Sequence, residues 1–590
     1  MKSHIYSDLF YTSPMRLKIQ SLGLFVAAGS TALIPNTWFD KFSFFVFFTG
    51  IFLTIIILEY KKLLNPNFRV ILILLGFFNL SLMVSGIYTP RTFSRVMVGE
   101  WHRNLGLLHY LCLTIMLIFF LIRYNEQVIK NLMTSLAWLG IFLGGVGALQ
   151  YIQNRNKLNP EALNGITLTL GNSNFAAVAL VLTSVATMVL VVGQKMGSHK
   201  FYLYCLSLIS QILLILATKT LQGIILFVLS VMLILFLRVV YSPKSKFFES
   251  PYSVIGLIGF SLLGAIYALT NFGIEKFFSQ TSSSLLDRYY HWVAAARMIK
   301  ENYLVGVGVD SYGDNYRLYR LPEALALRGE SNTFANNAHN IYLQLGSTSG
   351  LFVLFLYLLL NFYILWRGLH ALQKNRGNFS VQIVFVLWIV FQTQSLISID
   401  QLGLAVWGWI LSGILVSVSF QNESFDKTLK NDNSKASTMY QKVNFQTKKF
   451  TILYLSYILI SVLILIPGMQ QEYKIFALIS KINSTQDQIF LNQELSKLYT
   501  VASQAQQPSL RVKAILELFK FQRIDLALEL ANASTIEFPE NVAVWDSVAS
   551  IYEFKGQFEE AVPARRMTVK LDPLNQNLID LLDKNLAYLK

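Results

Sequence analysis

The sequence predicts an all-α fold: a polytopic bundle of transmembrane helices with helical parts outside the membrane. Of its 590 residues, 54% are hydrophobic and only 14% are charged, and the mean hydropathy is +0.47. Soluble proteins average about 25% charged residues. The apolar residues also gather in stretches of about 20, the length that crosses a bilayer as a helix. The bilayer is therefore the expected solvent for most of the chain.

We predict about thirteen spans, with twelve as the alternative count. The first has no small-residue cleavage pattern after it, so we expect a retained helix rather than a removed signal peptide. Thirteen spans would place the two termini on opposite sides of the membrane. The candidate spans are residues 17–36, 42–60, 69–89, 105–123, 129–151, 174–193, 201–218, 220–241, 252–270, 341–366, 379–398, 403–420 and 450–468.

The net charge of +16 is distributed unevenly along the chain. Lysine and arginine are concentrated in alternate connections, such as Lys61 and Lys62, and are sparse in the others. This bias predicts a cytoplasmic N-terminus and an outer location for residues 271–340 and for the C-terminal tail. The charge is thus explained by membrane topology, and no nucleic-acid partner is expected. Cys112 and Cys205 both fall within spans, which argues against a disulfide framework or a cysteine metal site.

The pattern divides the chain into four parts. Residues 1–420 form the membrane domain, which contains a long outer loop at 271–340. Residues 421–449 are poor in apolar side chains and are predicted to be a disordered cytoplasmic linker. The last span, 450–468, leads to an extracytoplasmic helical tail at 469–590. The outer loop keeps aromatic and aliphatic residues at near-helical spacing, so we expect helices that lie on the membrane.

The tail contains a repeat of 34 residues. Superposing 509–542 on 543–576 aligns Ala527 with Ala561 and Pro539 with Pro573. This resembles the tetratricopeptide pattern, in which large and small residues alternate so that two antiparallel helices pack. Two interpretations remain open: a docking surface for a protein partner through 509–576, or a structural cap on the membrane domain.

His339 and Asn340 stand at the start of the tenth predicted span, on the outer side. Histidine is the side chain that exchanges protons near neutral pH, and it is costly within lipid. The functional interpretation of His339 is a general base. The alternative is an interfacial histidine at a helix entry.

Two further places in the outer segments suggest an anion site, and a third motif opens a span from the outer side. Arg288 and Trp292 are four residues apart, so they share a helix face, and an arginine in a basic outer loop suits a phosphate. Lys219 lies in a very short outer turn, where it either binds an anion or extends its amine to the surface. The motif GNSN, which includes Asn172 and Asn174, opens the sixth span.

Together these residues resemble the O-antigen ligases and the related O-antigen polymerases and protein O-oligosaccharyltransferases. The resemblance covers the membrane domain through about residue 420. In that family, the histidine that matches His339 is held to be catalytic, the arginine that matches Arg288 contacts the donor pyrophosphate, and another outer arginine appears here as Lys219. The resemblance is carried by GNSNFAA at 171–177, by Arg288, Trp292, Ala295, Ile299, Asn302, Leu304, Gly306 and Gly308, and by His339, Asn340, Leu343 and Gly350.

The resemblance implies a bacterial inner-membrane glycosyltransferase that uses a glycan linked to undecaprenyl pyrophosphate. A pyrophosphate is already a good leaving group, but cations must stabilise the negative charge that develops on it as it leaves. That role is expected of Arg288 and Lys219, and in addition of Arg91, Arg95 or Arg103. A single displacement would invert the anomeric centre. No cofactor or metal is expected, because the loop has no Asp-x-Asp pair. Its scattered carboxylates are predicted to be solvated: Asp287, Asp310, Asp314 and Glu330.

Several functions remain open at this point. The acceptor can be the lipopolysaccharide core, which makes a ligase, or a growing glycan, which makes a polysaccharide polymerase. It can also be a protein hydroxyl, which makes an oligosaccharyltransferase. From other classes, a polysaccharide or lipid transporter or flippase with a docking tail, and a non-catalytic scaffold, are alternatives. A transporter would carry ionisable residues near the middle of its spans, whereas here they gather at the outer ends.

Overall fold

The computed structural model describes residues 13–33, 41–89, 92–100, 103–155, 165–241, 283–328, 334–420, 437–485 and 487–590. This part of the chain folds into α-helices joined by short turns and contains no strand. The predicted all-α class is confirmed. The predicted span at 252–270 lies outside the described residues.

The helices of the first half are long and apolar. A π-helical turn, Gly29–Leu33, extends the first of them, and short 3-10 turns precede the third. The helices are α1 (Ser13–Ala28), α2 (Lys41–Leu58), α3 (Arg69–Tyr88), α4 (Phe93–Val98), α5 (Leu107–Arg123), α6 (Glu126–Arg155), α7 (Ser173–Gly193), α8 (His199–Ala217) and α9 (Leu221–Val240).

In the described part of the second half, a long helix is followed by three short ones, then by four long ones and by a helical tail. The helices are α10 (Ser283–Glu301), α11 (Tyr312–Tyr319), α12 (Pro322–Arg328), α13 (Ile341–Ser349), α14 (Leu351–Lys374), α15 (Phe379–Ser395), α16 (Leu402–Ser419), α17 (Ser437–Ser484), α18 (Gln488–Ser503), α19 (Pro508–Lys520), α20 (Ile524–Glu537), α21 (Val542–Phe554), α22 (Phe558–Leu571) and α23 (Gln576–Tyr588).

Nine helices in the described ranges are long and apolar enough to cross a membrane, which makes the chain a multi-pass membrane protein. Three shorter apolar helices, Ile19–Thr31, Leu107–Arg123 and Phe379–Ser395, coincide with other predicted spans. The nine are Lys41–Leu58, Pro66–Tyr88, Glu126–Gln153, Ser173–Gly193, His199–Ala217, Leu221–Val240, Leu351–Lys374, Leu402–Ser419 and Lys449–Ser484.

The tenth predicted span, 341–366, is wrong as a single helix. The chain breaks at Gly350, where φ is +91°, so that α13 ends at Ser349 and α14 begins at Leu351. Residues on both sides are apolar, and a hydropathy window does not detect the break. His339 therefore precedes a separate short helix rather than the membrane-spanning α14.

The helix α17 also differs from the prediction. It begins at Ser437, inside the segment predicted to be a disordered linker, and continues without interruption to Ser484, well beyond the predicted end at 468. Pro467 lies within it. A proline is tolerated in a membrane helix when the freed backbone carbonyl finds another partner. The last apolar helix and the start of the tail are thus one continuous element.

The described chain divides into two compact units. The first comprises Met1–Gly76, His109–Ala268 and Leu358–Leu459. Its centre contains α7, in which every residue from Phe175 to Thr187 is buried, and α16, in which Trp407 is almost fully buried. The indole Nε1 of Trp407 donates to the hydroxyl of Thr31 over 3.3 Å, which satisfies a polar group that lies far from water.

The second unit comprises Phe77–Leu108, Leu269–Tyr357 and Ile460–Lys590, so the described part of the 271–340 loop and the tail belong to one compact unit. In the tail, α21 and α22 begin and end 34 residues after α19 and α20, which matches the period of the sequence repeat. Ala527 and Ala561, the aligned small residues, are both fully buried. The resemblance to tetratricopeptide repeats remains a prediction.

A buried ion pair joins the tail to the outer loop. Arg320, directly after α11, pairs with Asp572, directly after α22, and neither side chain is exposed. Arg317 lies 3.9 Å from the same carboxylate, and Asn575 donates to it over 3.2 Å. Burial raises the pKa of Asp572 and lowers that of Arg320, in each case against the attraction between them. These contacts favour the structural role of the tail.

Asp572→Ala is expected to lower the free energy of unfolding of the second unit by about 3–5 kcal/mol, because it leaves the Arg320 guanidinium buried without its carboxylate. The measurement is the thermal unfolding midpoint of the detergent-solubilised protein. The control is Asp580→Ala, which removes an exposed aspartate from α23. Equal midpoints for the two variants would contradict a stabilising role for the pair.

Candidate functional site

One face of α10 carries the charged and aromatic residues of the site. Arg288, His291, Ala295 and Met298 follow the spacing of a single helix face, and all four are buried. Ala295 and Met298 pack into a small core with Tyr312 and Tyr316 of α11. The apolar half of this face thereby fixes the helix, and its first turns present Arg288 and His291.

Arg288 is buried, yet it makes no hydrogen bond or ion pair with any described residue; its relative exposure is 9%. Burial lowers the pKa of its guanidinium, and the charge of the adjacent Asp287 works in the opposite direction. Arginine nevertheless stays protonated in proteins. The helix therefore holds a largely desolvated cation whose five donors remain available to a ligand.

His339 lies in a tight turn before α13. Its φ is +48°, an uncommon conformation for a residue with a side chain. Its backbone N–H donates to Asn337 Oδ1 over 3.0 Å, and the N–H of Ala338 donates to Gln344 Oε1 over 2.8 Å. Asn340 caps α13 by accepting the N–H of Leu343 over 3.0 Å. These hydrogen bonds hold the strained backbone that orients the His339 ring.

The two elements meet through a pair of histidines. The ring of His291 stacks on the ring of His339, with centroids 5.3 Å apart and planes 20° apart. His291 is 3% exposed, whereas His339 is half-buried. Arg288 lies three residues before His291 on the same helix face. The structure therefore brings the predicted base, His339, and the predicted anion-binding residue, Arg288, to the same part of the fold.

A close backbone crossing fixes the distance between α10 and α13. The N–H groups of Val307 and Gly308 donate to the carbonyls of Ser347 and Thr348 over 2.9 and 3.0 Å. The N–H of Leu351 donates to the carbonyl of Tyr303 over 2.8 Å. A Cβ at Gly306 would lie 2.3 Å from the Thr348 carbonyl carbon. A Cβ at Gly350 would lie 2.2 Å from the Leu304 oxygen.

Two carboxylates of the loop pair with arginines rather than with solvent, which corrects the prediction for Asp310 and Asp314. Glu330 lies outside the described residues. Asp310 is 3% exposed and accepts from Arg103 Nε over 2.7 Å and from the N–H of Glu100 over 2.7 Å. Asp314 accepts from Arg95 over 2.8 Å. Although Arg95 is buried, its attraction to Asp314 and Glu100 holds its pKa above the ordinary value.

Arg95 and Arg103 are consequently engaged in the protein itself. Arg103 also donates to the backbone carbonyls of Asp310 and Asn336, the latter three residues before His339. Their pairing locks the segment after α3 against the loop before α11. They are poor candidates for the donor site, and Arg91 lies outside the described residues.

The remaining predicted site residues belong to other surroundings. Lys219 lies in the first unit, in the turn between α8 and α9, with φ +56° and an exposed side chain. Asn172 caps α7 by accepting the N–H of Asn174 over 2.8 Å. Trp292 lies on α10, half-buried, next to His291. Asn172 and Asn340 thus both have a helix-capping role that the sequence analysis did not assign.

His291 is the site residue that the sequence analysis missed. Its spacing of four from Asp287 and three from Arg288 places all three on adjacent parts of one helix turn, and this was the available signal. The residue with which it stacks is 48 positions further along the chain. No local pattern reveals that contact.

The fold and this site define a class: a multi-pass helical membrane protein with a histidine and a buried arginine held by a folded segment between apolar helices. Residues 206–358 match the family model for O-antigen ligase. Over that range the chain is similar to the O-antigen ligase family, and the predicted resemblance is confirmed there. The match contains Lys219, Arg288 and His339. Among curated proteins, none matches the chain.

Gly350→Ala is expected to lower the free energy of unfolding by about 1–3 kcal/mol, because the new Cβ would strain a left-handed residue against Leu304. The measurement is the thermal unfolding midpoint. The control is Gly145→Ala in α6, where a Cβ meets nothing within 4 Å. A Gly350→Ala protein as stable as the control would show that the crossing tolerates a side chain.

Proposed function

We propose that the protein is a membrane glycosyltransferase that moves a glycan from a polyprenyl pyrophosphate to an acceptor hydroxyl at the outer face of the bacterial inner membrane. The observation that carries the proposal is Arg288: a buried guanidinium with no described protein partner, one helix turn from a histidine that stacks on His339. The family match over 206–358 supports the same class of enzyme.

The energetics of Arg288 favour an anionic ligand. Burying a charge without a partner costs several kcal/mol, so such a residue is retained where its charge is used. The other buried arginines described in the second unit, among them Arg95 and Arg320, have carboxylate partners. A planar guanidinium matches two oxygens of a phosphate at once, which suits a pyrophosphate. The anion-binding role of Lys219, which lies in the first unit, remains a prediction from the sequence.

In the proposed step, the acceptor oxygen attacks the anomeric carbon of the donor sugar and forms the new glycosidic bond. The bond between that carbon and the pyrophosphate oxygen breaks, and its electron pair leaves with the pyrophosphate. His339 takes the proton of the acceptor hydroxyl. Arg288 stabilises the charge that grows on the leaving group. A single displacement inverts the anomeric centre, and the cations are supplied by side chains rather than by a metal.

The orientation follows from the distribution of charge. Lysine and arginine are enriched in the connections assigned to the cytoplasm, which supports a cytoplasmic N-terminus and an outer location for the site and the tail. A lipid-linked donor fits this side because transfer then needs no nucleotide sugar. The lipopolysaccharide core, a growing glycan and a protein hydroxyl are the three acceptors under consideration.

The test is a transfer assay with the purified full-length protein and a glycan linked to undecaprenyl pyrophosphate. The glycan is radiolabelled, and a membrane extract supplies the acceptors. Label that moves to lipid core, to longer glycan or to protein supports transfer and identifies the acceptor. Label that stays on the donor, or crosses a vesicle bilayer still attached to it, would overturn the proposal and would favour transport in the second case.

His339→Ala is expected to reduce the transfer rate by about 10²–10⁴-fold, the usual contribution of a positioned general base. The measurement is kcat in the transfer assay, and membrane accumulation and thermal midpoint verify folding. The matched control is His370→Ala in α14, another histidine within the chain. An undiminished rate in His339→Ala would end the assignment of a base.

Arg288→Gln is expected to reduce transfer by about 10²–10³-fold, because the leaving pyrophosphate loses its buried cation. Arg288→Lys keeps the charge without the planar fork and should retain part of the activity. The measurement is kcat/KM for the lipid-linked donor. Equal and full activity in both variants would remove Arg288 from the donor site.

A further inference from the structure

We infer that His291 is a positioning residue for His339: its ring is the platform on which the His339 ring rests, and Asp287 sets the charge felt by the stacked pair. This inference rests on the proposed function, since it assigns a role in the same reaction.

The first support is the way His291 is held. Its ring is buried between His339 on one face and the edge of Tyr316, whose centroid is 5.3 Å away at 82°. Its backbone carbonyl accepts from the Tyr312 hydroxyl over 2.8 Å. The ring of His291 is therefore fixed by α10 and α11 together. The half-buried ring of His339, which stacks on the His291 ring, is therefore held in a defined orientation.

The second support is the carboxylate beside the pair. Asp287 Oδ1 lies 3.6 Å from His291 Nε2, one turn earlier on α10. This distance is longer than a hydrogen bond but short enough for charge attraction. When His339 takes the proton of the acceptor, the stacked pair gains one positive charge. Asp287 stabilises that charge, whereas Arg288 on the same turn opposes it.

The third support is the repulsion between charges on the two rings. Two imidazolium rings with centroids 5.3 Å apart would repel each other, so a positive charge on one ring disfavours a positive charge on the other. A neutral His291 therefore favours proton uptake by His339 in the proposed step.

Other groups surround the pair and must be included in any account of its pH dependence. Arg103 donates a hydrogen bond to the carbonyl of Asn336, three residues before His339, and the Arg320–Asp572 ion pair lies at the C-terminal end of α11. The described contacts place Asp287, Tyr312, Tyr316 and His339 against His291, and Arg288 lies on the same turn of α10. The other charged groups of α11 are Asp314, which pairs with Arg95, and Arg317, which lies near Asp572.

The experiment compares His291→Ala, His291→Phe and Asp287→Asn in the transfer assay with a fixed lipid-linked donor. His291→Ala removes the platform and is expected to lower kcat by about 10–100-fold, with KM for the donor little changed. His291→Phe restores a flat ring and should recover most of kcat. A folded His291→Phe protein as slow as His291→Ala would overturn the platform role, and so would a His291→Ala protein with the wild-type rate.

Asp287→Asn tests the charge. Removing a nearby negative charge lowers the pKa of an imidazolium. The rise of kcat with pH is then expected to move to lower pH by about one unit. Asp525→Asn is the matched control, because Asp525 is an exposed residue of the tail and should leave the profile unchanged. A pH profile of Asp287→Asn that coincides with the control would refute the influence of Asp287.

The two proposals fail in different ways. If wild-type protein transfers no glycan, the proposed function fails before any variant is compared. If wild-type protein transfers glycan and the His291 and Asp287 variants match it in rate and pH profile, only the positioning role fails. Thermal midpoints of all variants separate loss of folding from loss of rate.

Discussion

Residues 303–308 cross the end of α13 with their backbones in direct contact, and the site depends on that crossing. Three backbone hydrogen bonds join the two segments, and neither Gly306 nor Gly350 has room for a side chain. The crossing ties the helix that carries Arg288 to the helix that follows His339. The break at Gly350 also separates α13 from the apolar α14. Because of this break, α13 packs with the segment that carries α10 instead of continuing as part of the apolar helix.

Charge pairing completes this arrangement. Asp310 is a buried acceptor for Arg103 and for two backbone N–H groups, Glu100 and Leu105. Arg95 bridges Glu100 and Asp314. Buried charges are costly unless they are paired, and these are paired within the protein. Arg288 differs from them, since it makes no hydrogen bond or ion pair with a described residue, and this difference is the basis for proposing it as a ligand-binding residue.

The tail adds a second constraint on the same region. Asp572 reaches Arg320 at the end of α11, the helix whose tyrosines contact His291. Gln507 donates to the carbonyl of Gly99 over 3.3 Å, close to the segment that holds Arg103. The tail therefore supports the elements that hold the histidine pair. A repeat domain built for docking alone would not need to bury charge against the outer loop.

The sequence by itself determined the membrane helices, the all-α class and the positions of His339 and Arg288 as candidates. These are local properties: a bilayer demands about 20 apolar residues in a row, and a helix face is set by residues three and four apart. Only the tertiary structure decided that His291 stacks on His339, that Asp310 holds Arg103, that Gly350 divides a predicted span and that Asp572 joins the tail to the loop. Each of these features depends either on a contact between residues distant in sequence or on the backbone conformation of a single residue. Hydropathy and residue spacing detect neither.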